Sequence, residues 1–166
     1  MRKLIILTLC LAGAFLRAQA SCPCCTEDHG GFDFWVGEWT VTDTTGTVLG
    51  ANTIERVEGG CIVLEHWRGA QGSTGRSLNY YNRTTDTWHQ TWVDNAGNPL
   101  ILYGAVQNGS MVMRTDEQTA QSGTVYYNRV TWTPLEDGSV RQQWDIMSTT
   151  DSLLSTVFLG IYRKEE

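Results

Sequence analysis

The chain has 166 residues, 12 of them basic and 18 acidic, and a formal net charge of −6. Such a balance lacks the basic stripe that nucleic acid requires, and it disfavours an anionic membrane surface for the same reason. Seven tryptophans in a chain of this length suit one domain with a sizeable core and leave no room for a second.

Residues 1–20 read as a secretory signal peptide. Arg2 and Lys3 form a basic start, Leu4 to Phe15 is almost unbroken apolar sequence too short to span a bilayer, and Ala18-Gln19-Ala20 places cleavage after Ala20. A buried first helix or a membrane anchor is the bland alternative. A lipoprotein ranks behind simple export, because Gln19-Ala20-Ser21-Cys22 lacks the leucine-like residue that normally stands three places before a lipidated cysteine. Cleavage removes three basic residues and no acidic one, which leaves nine against 18, a charge of −9, with Lys164 the one remaining lysine. The expected destination is the periplasm or the exterior, with no membrane insertion after cleavage.

A cysteine-rich arm follows, residues 21–31, carrying Cys22, Cys24 and Cys25; Cys61 lies further along. Export favours their oxidation, and four thiols allow three pairings. The expected structural bridge is Cys25 to Cys61, since a Cys24-Cys25 bond is strained and Cys22-Pro23-Cys24 is short. A metal site built from Cys22, Cys24, Cys25 and His29 is the sharper alternative, but its spacing matches none of the usual zinc patterns.

From Phe32 to residue 166 the pattern changes. Phe32-Asp33-Phe34-Trp35 packs three aromatics ahead of Gly37-Glu38-Trp39, more apolar area than water tolerates, and reads as the plug of a barrel. Apolar and polar residues then alternate with period two, in runs separated by Gly, Asn, Asp, Ser and Thr clusters, while helical spacing is sustained nowhere in the mature chain. Ten strands are predicted, near 35–43, 49–58, 61–69, 74–82, 87–94, 99–107, 110–115, 123–133, 139–147 and 153–164. Turn signatures such as Asn108-Gly109 and Asp137-Gly138 pair neighbours in sequence order. Ten antiparallel up-and-down strands with no helix to cover a sheet face are best resolved by closing the sheet into a β-barrel. A two-sheet sandwich is the runner-up. A closed barrel of this size has room inside for a ligand.

Gly37-Glu38-Trp39 resembles the Gly-x-Trp signature of calycins, the barrel superfamily that includes lipocalins and fatty-acid-binding proteins. The ordered strings Phe32-Asp33-Phe34-Trp35-x-Gly37-Glu38-Trp39, Gly60-Cys61, Gly75-Arg76-Ser77-Leu78-Asn79, Trp88-His89-Gln90-Thr91-Trp92-Val93-Asp94, Asn128-Arg129-Val130-Thr131-Trp132 and Asp137-Gly138-Ser139-Val140-Arg141-Gln142 extend the likeness across the mature chain. Together they resemble a family of secreted bacterial proteins without an established activity. The resemblance implies a calycin-like barrel, related in architecture to the nitrobindin group. It also implies that Arg163 stacks on Trp39 as the closing staple of such barrels.

Three strands share one short pattern, an acid or amide two residues before a tryptophan: Glu65/Trp67, Gln90/Trp92 and Gln142/Trp144. Residues two apart on a strand share a face. Facing inward, this repeat would line a cavity with indoles and hydrogen-bonding groups, and Asn79 with Tyr81, and Arg129 with Thr131, would extend the lining. The bland reading makes the tryptophans core and turns their polar partners outward, because one residue of register exchanges the faces. Glu65 stands in an otherwise apolar strand, so if it faces inward it needs a partner, with Arg129 or Arg76 the natural choices, or a raised pKa.

The histidines have no metal-ligand spacing, and with Trp67 and Trp92 inward, His66 and His89 face out. Haem on a single histidine is therefore disfavoured, the more so because the chain departs after Trp39 from the Gly-x-Trp-x-Gly-x-Gly element of the nitrobindin group. No nucleophile elbow, phosphate loop or His-Glu-x-x-His occurs. Met111 and Met113 read as core filler. The expectation is an exported barrel that binds a small, partly apolar molecule and uses no cofactor. An enzyme with Glu65 as general acid or base, and an envelope protein with a filled barrel, are the alternatives.

Overall fold

The computed structural model describes residues 22–164; the expected signal peptide, residues 1–20, lies outside them. The domain is all-β. Its strands are β1 (Gly37–Thr42), β2 (Val48–Val57), β3 (Ile62–Gly69), β4 (Thr74–Asn82), β5 (Thr87–Asp94), β6 (Pro99–Gln107), β7 (Ser110–Arg114), β8 (Gln118–Thr119), β9 (Val125–Pro134), β10 (Val140–Ser148) and β11 (Leu153–Lys164). Neighbours pair antiparallel in sequence order from β1 to β7, then β7 with β9, β9 with β10, β10 with β11, and β11 back to β1. Ten strands thus close a barrel. The eleventh, β8, is a two-residue addition on the start of β9, in a polar stretch with no apolar alternation to announce it.

The two ends of the barrel differ. At one end a 3₁₀ turn, Asp33–Trp35, inserts Phe32 and Trp35 among Trp39, Ile54, Val63, Trp88, Leu102, Met111, Met113 and Trp132, all buried. Phe32 stacks on Trp35 at 4.7 Å and meets Trp132 edge-on at 5.1 Å, in the offset and T-shaped arrangements that aromatic quadrupoles favour. Trp39 Nε1 donates to the Trp35 carbonyl at 2.8 Å and so pins the plug to β1. The expected plug and methionine core are both present.

The arm is fastened to this closed end. Arg56 donates to the carbonyls of His29 and Gly60 and pairs with Asp33, and Trp88 Nε1 donates to the Asp28 carbonyl at 3.0 Å. The covalent ties differ from expectation: the bridges are Cys24–Cys61 and Cys22–Cys25, not Cys25–Cys61. A turn in which the Cys25 amide donates to the Cys22 carbonyl brings those two Cα atoms within 5.3 Å. Cys24 is thereby left on the buried side, facing Cys61. With all four thiols in disulfides, and His29 Nδ1 bonded to Thr26 Oγ1, the alternative metal site has lost its thiolates. Two bridges suit an oxidising compartment. Among the described residues no helix is long and apolar enough to cross a membrane.

At the opposite end, β11 pairs with β1 only over Ile161–Lys164, although β10 follows it along its length. The outer edge of 153–160 has no strand partner among the described residues. Register shifts at Val157 and Leu154 bend this edge, as bulges do where a strand stands free. The wall is therefore open between β11 and the β1–β2 hairpin.

The closing staple also departs from the resemblance. Trp39 lies opposite Lys164, whose Nζ is 5.3 Å from the indole, whereas Arg163 points to the other face and donates to Thr42 Oγ1 at 3.0 Å.

Candidate functional site

The open half of the barrel contains a cavity of about 440 Å³. All three acid-or-amide/tryptophan pairs reach it: Glu65 and Trp67 from β3, Gln90 and Trp92 from β5, Gln142 and Trp144 from β10. Leu49, Leu100, Val130, Phe158 and Tyr162 complete the wall, and Thr47, Val48, Ala70, Gln71, Ser73 and Val157 form the rim. The indoles need space behind them, and glycine supplies it. A Cβ on Gly75 would lie 2.2 Å from the Trp92 ring, and one on Gly50 would lie 2.8 Å from that of Trp67. Phe158 closes against Trp67 edge-on, with centroids 6.1 Å apart.

The cavity floor is a belt of polar side chains that separates it from the aromatic plug. Gln90 Nε2 donates to Asn79 Oδ1 at 2.7 Å, Asn79 Nδ2 to Ser77 Oγ at 2.9 Å, and Ser77 Oγ to Glu65 Oε2 at 2.6 Å. From the other side Asn52 Nδ2 donates to Glu65 Oε1 at 2.8 Å and to the Tyr162 hydroxyl at 3.4 Å, and Tyr162 donates to Gln142 Oε1. The belt thus joins six strands, the adjacent run β5-β4-β3-β2 and, past the intervening β1, the pair β11-β10. Both oxygens of Glu65 are acceptors. The Oδ1 of Asn52, with both amide hydrogens committed, has no partner among the described residues.

Glu65 is only 6% exposed, and burial pushes its pKa up to about 7 against the opposing hydrogen bonds of Ser77 and Asn52. Neither expected cation reaches it. Arg76 is exposed on the outer face of β4, and Arg129 lies 3.7 Å from Asp145, which also accepts from Gln143 and from Thr156 at 2.7 Å. Outward placement of Arg129 follows from its neighbours, since Val130 and Trp132 point into the barrel. Thr131 shares its face. Burial also raises the Tyr162 pKa, with the charge on Glu65 adding to the effect.

Of the other expected lining residues, Asn79 lies in the belt under the cavity, and Tyr81 sits at the closed end, bonded to Asp86 and edge-on to His29 at 5.2 Å. His66 bonds Arg68, and His89 stacks on Tyr80 at 5.3 Å, both on the outer face as their parity requires. Sequence reasoning missed Asn52, Ser77, Phe158 and Tyr162. Their signal was parity: Asn52 shares a face with Ile54, Ser77 with Asn79, and Phe158 with Tyr162.

No protein-family model and no curated protein matches the chain. Among the described residues no group of three or more His, Cys, Asp or Glu side chains could hold a metal ion. The arrangement therefore has to be read from its own chemistry: apolar aromatic walls, a wet rim, and one ionisable acid at the floor beside amide groups.

Proposed function

We propose that this chain is an exported binding barrel that holds a small, partly apolar molecule in the open half of its interior. The observation that carries this reading is the three pairs Glu65/Trp67, Gln90/Trp92 and Gln142/Trp144, all on the surface of one cavity of about 440 Å³. That volume, with aromatic walls and few convergent polar groups, is the usual composition of a small-molecule site. Gln90 Oε1 and Gln142 Nε2 carry no hydrogen bond among the described residues, so each can orient a ligand polar group. The closed barrel, the plug and the Gly37-Glu38-Trp39 start are in keeping with a calycin-like relationship. The arm disulfides and the leader pattern support export to the periplasm or the exterior.

A second reading is favoured by one specific observation. A buried glutamate with pKa about 7 at a cavity floor is poised for general acid or base work at neutral pH. In that reading the same barrel is an enzyme and Glu65 its proton carrier. Native mass spectrometry of the mature protein, taken beside the denatured sample, tests the binding reading. An added mass of a few hundred daltons that is lost on denaturation and absent from Trp92→Ala is the expected result. An adduct retained by that variant would place the ligand elsewhere. Substrate turnover that disappears in Glu65→Gln would favour the enzyme.

A further inference from the structure

The charge of the ligand can be argued from what faces Glu65. On its own strand β3, His66 and Arg68 point outward. From β2 it meets Asn52, from β4 Ser77, and from β11 the Tyr162 hydroxyl with Gln142 of β10 behind it. Among the described residues Tyr162 is the one other titratable group lining the cavity, and burial keeps its hydroxyl neutral. Among the described residues no lysine, arginine or histidine lines the cavity.

The direction of the belt adds a second constraint. Ser77 Oγ accepts from Asn79, so its hydrogen goes to Glu65 Oε2; Asn52 gives its amide hydrogens to Glu65 Oε1 and to Tyr162. As carboxylate, Glu65 accepts at both oxygens, Oε2 from Ser77 and Oε1 from Asn52; a proton on Oε2 would have to displace the Ser77 hydrogen there. A carboxylate buried without a cation is unfavourable unless its partner arrives with the ligand. Around it stand Trp67, Trp92, Trp144 and Phe158, whose ring faces attract a cation and whose bodies cover an apolar one.

The geometry points to an organic cation, an ammonium group on an apolar or aromatic body, as the class of molecule this cavity takes. The inference rests on the binding reading given above and sharpens it. The ammonium sits over the floor against Glu65, inside the indoles, while the body extends toward the gap between β11 and the β1–β2 hairpin. Carboxylates and phosphates are excluded by the same acid.

The test uses benzyltrimethylammonium, its uncharged isostere neopentylbenzene, and phenylacetate, titrated into the mature disulfide-bonded protein with tryptophan fluorescence as readout. At pH 8 the cation is expected to bind at least tenfold more tightly than the isostere, and phenylacetate more weakly than either. The probe's own charge does not titrate, so its affinity should fall as pH drops through about 7, by up to tenfold per pH unit once well below it. In Glu65→Gln the preference for the cation should shrink to within about threefold and lose its pH dependence. The wild-type pH series stands whether or not that variant folds. If the isostere or phenylacetate binds as tightly as the cation at pH 8, the cation assignment is overturned while the binding site stands. If none of the three binds, both this inference and the binding reading fail.

Discussion

The two halves of this barrel are built from the same residue type and do opposite things with it. At the closed end Trp35, Trp39, Trp88 and Trp132 are buried against Phe32 and leave no space. At the open end Trp67, Trp92 and Trp144 are half-buried, set back by Gly50 and Gly75, and leave a cavity. What separates them is the belt from Gln90 through Glu65 to Gln142. An indole is filler where a second layer of aromatics packs over it, and wall where a polar floor stops that layer from continuing.

Substitutions should divide along the same line. The largest effect is expected for Trp35→Ala, which removes the plug's ring and should lower stability by about 3–5 kcal/mol in chemical denaturation. Trp92→Ala, at a half-exposed wall, should lower it by about 1–2 kcal/mol yet abolish ligand binding. Equal losses from the two would erase the distinction between the halves.

Next comes the disulfide that ties the arm to the closed end. Replacing Cys24 and Cys61 by serine opens a loop of 37 residues and should cost about 3–4 kcal/mol on loop entropy. Replacing Cys22 and Cys25, separated by three, should cost about 2 kcal/mol less than that. Peptide mapping of the oxidised protein checks the pairing itself.

Glu65 supplies the pH dependence. Its folded pKa, about 7, is above its ordinary value of 4.5, so its contribution favours the fold at low pH and is lost as pH rises from 4.5 through 7. A shift of this size corresponds to about 3 kcal/mol. Glu65→Gln should therefore flatten the decline over that window and be more stable than the parent at pH 8. Asp43, Asp94 and Asp137, whose pKa values are lowered by turn hydrogen bonds, act in the opposite sense and only at more acid pH. His66, held below its usual value by burial and by Arg76 and Arg68, is common to both proteins and cancels in the comparison. The smallest effect is expected for Arg129→Ala, on the outer face, at about 1 kcal/mol or less, with ligand binding unchanged.

Much of this organisation was legible in the sequence because strand parity is a rigid rule. The spacing of Glu65/Trp67, Gln90/Trp92 and Gln142/Trp144 put the two members of each pair on one face of their strand. Which face looks inward was left open and is set in the fold, where all three pairs line the cavity. The barrel follows from turn chemistry and the need to remove sheet edges. Arg129 was misplaced for a reason the sequence itself contained: Trp132 fixes the inward parity of β9, and Arg129 is an odd number of residues away. The belt was less accessible, since a lone Asn52 or Tyr162 in an alternating strand does not say which groups it will bond across the barrel. The disulfides turned on a single tight turn at 22–25, which reverses the side on which Cys24 and Cys25 lie.

The most direct test of the divided barrel is a carbon-13 NMR titration of the Glu65 carboxyl, assigned by its loss in Glu65→Gln, without and with saturating benzyltrimethylammonium. A midpoint near 7 in the free protein, moving clearly lower with the cation, is the predicted result. A midpoint near 4.5 in both would mean that Glu65 is solvated or already paired with a cation, and that the floor of the cavity is not as described.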